Sequence, residues 1–318
     1  MNLHTFRQEV EKTYKSFDTE ERIDMYFTRP IGYLWTLLFA RLGVHPNVVT
    51  ILSIVLGLFS GFCFYHRELW WNVVGILVLM LSNFYDSADG QLARMTGKTT
   101  VWGRILDGFS SDLTFIAIYF GLLFRLWDQD IPFTHMHWGV IILLLLVLSG
   151  VFFHKRHCQL SDYYRNIHLF LLRGDNGSEL TTSERQYHTV ADLTIIPRRG
   201  NLWYRQFMWA YWNYTCSQER LSPAFQRLRH ALDAHQDGRF TEAQRQYFLQ
   251  HSRPLMKFTN ILTFNWRAIT LAVACLMDMP WLYLLVEFVI FESIFQYMRY
   301  RHNEICRSLE ADCRPLPS

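Results

Sequence analysis

The chain has 318 residues, of which 50% are hydrophobic and 16% aromatic, with a formal net charge of +3. The apolar residues fall in long runs, which sets aside an ordinary soluble domain, and the small net charge gives no footing for nucleic-acid binding. The six cysteines show no CxxC spacing, so neither a disulfide framework nor a zinc site is expected.

Residues 1–24 are charged and lack the apolar core of a signal peptide. Residues 2–17 predict a polar helix, and Asp18 with Glu21 three residues later would cap a new start. From Thr28, the text RPIGYLWTLLFARLG predicts a helix with Pro30 in its first turn and Gly43 at its end. It is short for a crossing and flanked by Arg29 and Arg41, so an amphipathic helix on the cytoplasmic membrane surface is expected; a buried helix of a soluble domain is the plainer alternative.

Six stretches then approach the roughly 20 apolar residues that cross a bilayer: 48–66, 70–88, 104–126, 137–153, 258–278 and 280–298. Pro46 fits the entry to the first, Trp70 and Trp71 suit the far interface, and Thr100 suits the N-cap of the third helix. Cations gather at Arg94, Lys98, Lys155, Arg156, Lys257, Arg299, Arg301 and Arg307, whereas the opposite ends carry few. The positive-inside rule then puts both termini and residues 157–256 in the cytoplasm.

The expected fold is an all-α, polytopic membrane protein of six transmembrane helices. It divides into N-terminal and interfacial helices (1–46), transmembrane helices 1–4 (47–156), a cytoplasmic insert (157–256), and transmembrane helices 5–6 with a tail (257–318). Within the insert, 175–186 reads as loop, and helices are expected at 222–235 and 241–251 with a turn at Asp237 and Gly238. The aromatic stretch 201–214 suits either the membrane surface or the core of a small domain. Sequons at Asn176 and Asn213 fall on the cytoplasmic side and read as chance.

The chemistry concentrates at residues 86–112, DSADGQLARMTGKTTVWGRILDGFSSD. At about 100° per residue, Asp86, Asp89, Gly90, Ala93 and Arg94 share one helical stripe, and Gly103 and Asp107 share a face of the next helix. Carboxylates crowded in a low dielectric need a neutralising partner, and oxygen-only ligands point to a hard cation, Mg2+, Mn2+ or Ca2+, rather than zinc. Asp86, Asp89, Asp107 and Asp112 together would balance two divalent ions, an arrangement suited to phosphoryl or phosphodiester transfer. Carboxylates of a capped hairpin facing water are the plainer alternative, and the full spacing within a hydrophobic frame argues against it.

The pattern D86xxDG90xxAR94, eight further residues, then G103xxxD107 resembles the signature of the CDP-alcohol phosphotransferases. These membrane enzymes join a phosphoester from a CDP-linked donor to a hydroxyl acceptor and release CMP. The resemblance extends to Pro46, Asn47 and Thr50 and to the six-span plan, but not to residues 157–256. It implies that Asp86, Asp89 and Asp107 bind Mg2+ or Mn2+, that Gly90, Ala93, Arg94 and Gly103 seat the nucleotide with Asn47 beside it, and that the enzyme is a homodimer.

The family pattern calls for a further metal-binding aspartate, the base for the acceptor hydroxyl, at the position held here by Ser111. The aspartate comes one residue late, at Asp112. Counted from Gly103, Asp107 lies at about 40°, Ser111 at about 80° and Asp112 at about 180°. Three readings are open: a one-residue π-bulge that turns Asp112 back to the metals, which is preferred; Ser111 acting through water; or a partial loss of activity.

Arg267, inside the fifth predicted span, needs a partner: the phosphate or headgroup of a substrate, or a neighbouring carbonyl or carboxylate. Lys155 and Arg156, with His154 and His157, would receive an anionic acceptor or serve only as a positive-inside anchor. Asn83, one turn before Asp86, would orient it or join a polar network. The leading expectation is transfer from a CDP-linked headgroup to a lipid acceptor, with transfer from CDP-diacylglycerol to a polar alcohol as the runner-up. A divalent-cation transporter and an inactive scaffold are the alternatives of another class.

Overall fold

Helix is the only extended regular element among the residues that the computed structural model describes, which are 3–14, 16–174, 178, 180–188 and 202–313. In chain order the helices are α1 (Leu3–Glu11), α2 (Arg29–Arg41), α3 (Pro46–Tyr65), α4 (Leu69–Thr96), α5 (Val101–Leu126), α6 (Gly139–Val147), α7 (Lys155–Arg173), α8 (Leu202–Leu221), α9 (Pro223–His235), α10 (Glu242–Ser252), α11 (Met256–Ile261), α12 (Phe264–Leu276), α13 (Trp281–Val286) and α14 (Glu292–Cys313). Three π-helical segments interrupt or precede them, at Asp24–Thr28, Leu148–His154 and Glu287–Phe291.

Among the described residues, five helices are long and apolar enough to cross a membrane: Pro46–Tyr65, Leu69–Thr96, Leu106–Leu126, Gly139–Arg173 and Trp281–Cys313. The segment expected as the fifth crossing is divided at Leu262 and Thr263 into α11 and α12, and α12 has 13 residues, about 20 Å of helix at 1.5 Å per residue. The last crossing continues to Cys313, well past its expected end at 298. At the start of the chain, α1 stops at Glu11, residues 17–19 form a turn in which the Asp18 N–H donates to Ser16 Oγ, and helix resumes at Arg22.

The chain divides into two compact units. The first comprises Met1–His154 and Phe264–Ile290. Its centre is α3, laid against α4 and α5. A Cβ on Gly61 would stand 2.5 Å from the backbone carbon of Ala117, so α3 and α5 touch backbone to backbone there. Ser53, Ser60, Thr50 and Thr114 return their hydroxyls to carbonyls one turn back, and Ser82 of α4 donates to the Ser53 carbonyl of α3 at 2.7 Å. Small hydroxylated side chains therefore satisfy themselves while letting the helices approach.

Beside this centre, α2 packs on α4: Thr36 donates to the Ala88 carbonyl at 3.1 Å, and Trp35 and Phe39 close on Tyr85. At the far end of α5, the buried Arg125 donates to Asn72 Oδ1 and Asp278 Oδ1, both at 2.7 Å. An apolar core of Phe64, Leu79, Phe115, Ile118, Leu122 and Ile142 fills the space between.

The second unit comprises Lys155–Thr263 and Phe291–Ser318, so the segment 157–256 shares a core with α14. The His302 ring stacks on Tyr164 with centroids 3.6 Å apart, and Phe225, Leu228, Leu232 and Phe248 complete the buried set. The expected helices at 222–235 and 241–251 correspond to α9 and α10, the second opened by a full capping box between Thr241 and Gln244. Asp237 and Gly238 take positive φ of 51° and 71°, as the turn requires. In the aromatic stretch, Trp209 and Tyr211 of α8 are exposed, while Trp212 Nε1 donates to the Ser183 carbonyl and Tyr214 to Asp162. Asn213 lies within α8, and Asn176 lies outside the described residues.

Candidate metal and nucleotide site

Three carboxylates converge in the first unit. One oxygen each from Asp86 and Asp89 of α4 and Asp107 of α5 lies within 4.8 Å of the other two. Asp86 and Asp89 are brought to one face by their three-residue spacing, and the packing of α4 and α5 on α3 brings Asp107 to them. Asp89 is 4% exposed, and its Oδ2 is buried with no hydrogen-bond donor. Such an atom is costly unless a cation or a proton meets it. An all-oxygen set of this density fits a hard divalent cation.

Ser110 ties the two helices together. Its Oγ lies 2.5 Å from Asp86 Oδ1 and 3.0 Å from the Asp107 carbonyl. Sequence reasoning had passed over this residue, although its position at about −20° from Gly103 puts it on the same face as Asp107.

The candidate nucleotide residues cluster at the helix ends beside the carboxylates. Thr100 caps α5 by accepting from the Gly103 N–H at 2.9 Å, and the same hydroxyl donates to Asn47 Oδ1 at 3.1 Å. A Cβ on Gly103 would stand 2.7 Å from Asn47 Oδ1 and 3.0 Å from Thr100 Oγ1, so only glycine leaves Asn47 its place. On α4, a Cβ on Gly90 would meet only Arg94 Nη1, at 3.5 Å, which leaves an open floor between the carboxylates and that guanidinium. Ala93 is half-buried and Arg94 exposed.

Asp112 stands apart. Helix α5 is α-helical throughout Val101–Leu126, with no π-turn between 107 and 112, and Asp112 is not among the converging carboxylates. It is exposed on the face that also carries Phe109, Leu113, Ile116 and Phe120. The preferred bulge is thus corrected: the ladder has no extra residue to absorb, and the regular helix leaves Asp112 on the outer side. Ser111 is half-buried next to Ser110. The π-turns among the described residues occur elsewhere, in residues 24–28, 148–154 and 287–291.

Arg267 is fully buried and paired with the equally buried Glu287, Nη1 to Oε1 at 2.5 Å. Of its two expected partners it has the carboxylate, and none of its side chain is exposed. Nearby, the Tyr119 hydroxyl meets His154 Nδ1 at 3.2 Å, Ser149 Oγ at 3.2 Å and Tyr283 Oη at 3.1 Å. His154 is therefore a buried network residue.

In the second unit, His157 is buried against Glu292 at 2.8 Å, Arg156 lies over the Phe295 ring at 5.3 Å, and Lys155 is exposed. Of these three side chains His157 is buried and Arg156 half-buried, so they do not present one basic surface. Asn83 joins a polar network: it donates to Asn265 Oδ1 at 3.1 Å, and Asn265 Nδ2 donates to Glu21 Oε2 and Asp24 Oδ1, both at 2.8 Å.

Residues 43–170, which hold all three carboxylates, match the family model of the CDP-alcohol phosphatidyltransferases. The chain is 34% identical over 83 residues to the archaetidylinositol phosphate synthase of Pyrococcus horikoshii, which is 26% of this chain and 43% of that protein. It is 36% identical over 103 residues to the phosphatidylinositol phosphate synthase of Streptomyces avermitilis, 32% of this chain and 40% of the relative. An uncharacterized protein of Aquifex aeolicus is 33% identical over 84 residues. The chain thus spans about two fifths of the length of the curated relatives it matches. No solved structure gives a significant match.

Proposed function

With residues 43–170 carrying a CDP-alcohol phosphatidyltransferase domain, we propose that this protein is an integral membrane phosphotransferase that moves a phosphoester group from a CDP-linked donor to a hydroxyl acceptor and releases CMP. The observation that carries the proposal is the convergence of Asp86, Asp89 and Asp107 within 4.8 Å beside an open glycine floor. Asn47, Gly103, Gly90, Ala93 and Arg94 hold the donor, Arg94 pairing with a phosphate oxygen and Gly90 admitting the diphosphate close to the backbone.

Asp86, Asp89 and Asp107 would hold Mg2+ or Mn2+, which supplies electrophilic stabilisation of the diphosphate when bound. Two dications on three carboxylates leave a net +1, complementary to an anionic donor. Ser110 fixes the Asp86 carboxylate so that its free oxygen faces the centre. The acceptor proton leaves through water at Ser111.

The apolar helices support an integral multi-pass arrangement. In our reading α12 completes a sixth crossing, α2 lies at the interface, and the cation-rich ends, the carboxylates and both termini face the cytoplasm. We retain the homodimer as the working assembly. We also retain a CDP-linked headgroup as donor and a lipid as acceptor, because Arg267 is buried in an ion pair and Glu21 and Asp24 adjoin the network that begins at Asn83. An anionic acceptor would find little to bind there. The names of the relatives favour the second reading, a lipid-linked donor with a polar alcohol.

The deciding experiment incubates the purified protein with Mn2+ and a panel of CDP-alcohols and follows acceptor-dependent CMP release. Release by the wild type and its loss in Asp89→Asn is the expected result. No release from any donor, with the two proteins indistinguishable, would leave a transporter or a scaffold as the better account. The donor that works separates the two substrate readings.

A further inference from the structure

A cavity of about 250 Å³ lies within the second unit, between the α10–α11 junction and α14. Its walls carry three basic side chains, His251, Lys257 and Arg301, with Gln250, Phe258 and Tyr297. The size admits a phosphate group with its first hydrating oxygens.

The polar groups are arranged around this space. His251 donates Nδ1–H to the Tyr247 carbonyl at 2.8 Å, which fixes its ring at the cavity wall. Arg301 is steadied by Glu304 through Nη1 at 2.7 Å, and its guanidinium has further N–H donors to offer. The Lys257 ammonium lies 4.8 Å from the centre of the Phe258 ring, and Phe258 packs edge-on against Tyr297 with centroids 5.2 Å apart.

The sequence sets the depth. The mostly apolar text of residues 281–298 gives way to Arg299, Arg301 and Arg307, and Lys257 stands next to Phe258, with Ile261 and Leu262 following. Arg301 and Lys257 thus stand at a polar–apolar border of the sequence. Aromatic rings with cations one turn beyond mark the level of lipid headgroups, where basic pockets between helices receive anionic lipids.

We propose that His251, Lys257 and Arg301 form a binding site for the phosphate of an anionic phospholipid headgroup, with Phe258 and Tyr297 supporting its glycerol end. The site does not depend on the phosphotransferase reading and uses none of its residues. Occupied by lipid, it would link the second unit to the composition of the surrounding membrane.

The test uses the full chain in neutral detergent doped with phosphatidylglycerol or phosphatidylcholine, with lipid adducts counted by native mass spectrometry. The wild type is expected to retain the anionic lipid at least tenfold better than the zwitterionic one. Lys257→Met with Arg301→Gln should abolish that preference. Arg307→Gln, which removes a cation from the same helix outside the cavity, should keep it.

Asp89→Asn should also keep it, which separates this site from the carboxylate centre. Equal loss in Arg307→Gln and the cavity variant, or no preference in the wild type, would overturn the proposal. A third arm adds inorganic phosphate. Weak displacement of lipid at millimolar phosphate supports a lipid site, whereas saturation by phosphate alone, with no advantage for lipid, overturns the lipid assignment.

Discussion

Ser110 Oγ of α5 meets Asp86 Oδ1 of α4 at 2.5 Å, and this one hydrogen bond joins the two helices at the carboxylate centre. It occupies Oδ1 of Asp86, a residue that brings one carboxylate oxygen within 4.8 Å of oxygens of Asp89 and Asp107. A hydrogen bond to a charged group contributes about 1.5–3 kcal/mol, or roughly 10- to 100-fold in an equilibrium. Ser110→Ala is therefore expected to weaken Mn2+ binding by that factor, whereas Ser111→Ala should weaken it by less. Manganese titration followed by electron paramagnetic resonance reads both values, and equal effects would mean that Ser110 has no special place.

The first half-site was legible in the sequence because it needs only the periodicity of one helix: Asp86, Asp89, Gly90, Ala93 and Arg94 fall on one stripe in any regular α4. The second half-site was legible through Asp107 for the same reason. The helical arithmetic that put Asp112 at about 180° was sound. The bulge invoked to rescue Asp112 was a departure from that arithmetic, and α5 contains none. Ser110 carries no charge, and only its angle of about −20° from Gly103 marks it as part of the site. The break between α11 and α12 was hidden because continuous apolar text does not reveal where a helix stops. The ion pair of Arg267 with Glu287 joins residues 20 apart, a partnership that packing decides.

Exchanging the two residues, Ser111→Asp with Asp112→Ser, puts a carboxylate at about 80° from Gly103, beside Asp107, instead of on the outer face. A fourth carboxylate there should tighten metal binding and retain or raise CMP release. Asp112→Asn alone should change activity less than threefold. A loss of two orders of magnitude in Asp112→Asn, measured with saturating donor and metal, would return Asp112 to the chemistry.

Gly103→Ala tests the donor seat. The added methyl would stand 2.7 Å from Asn47 Oδ1, so the Asn47 side chain has to leave the Thr100 hydroxyl that now holds it. The expected result is a KM for the CDP donor raised about tenfold, the equivalent of roughly 1.4 kcal/mol, with manganese affinity unchanged. A parallel loss of metal binding would indicate that the methyl displaces α5 as a whole.

The Arg267–Glu287 pair tests stability separately from chemistry. Both side chains are fully buried, with Nη1 and Oε1 2.5 Å apart. Removing one partner leaves a charge in a low dielectric, at a cost of about 3–5 kcal/mol, whereas replacing both by apolar groups of similar volume is often close to neutral. Arg267→Met is accordingly expected to lower the thermal midpoint in detergent strongly, and Glu287→Leu to do the same. The double variant should recover most of the loss, because no buried charge remains without its counterpart. If Arg267 instead acted on substrate, the double variant would regain stability but stay inactive. Recovery of both the thermal midpoint and CMP release in the double variant therefore identifies the pair as a structural tie within the first unit.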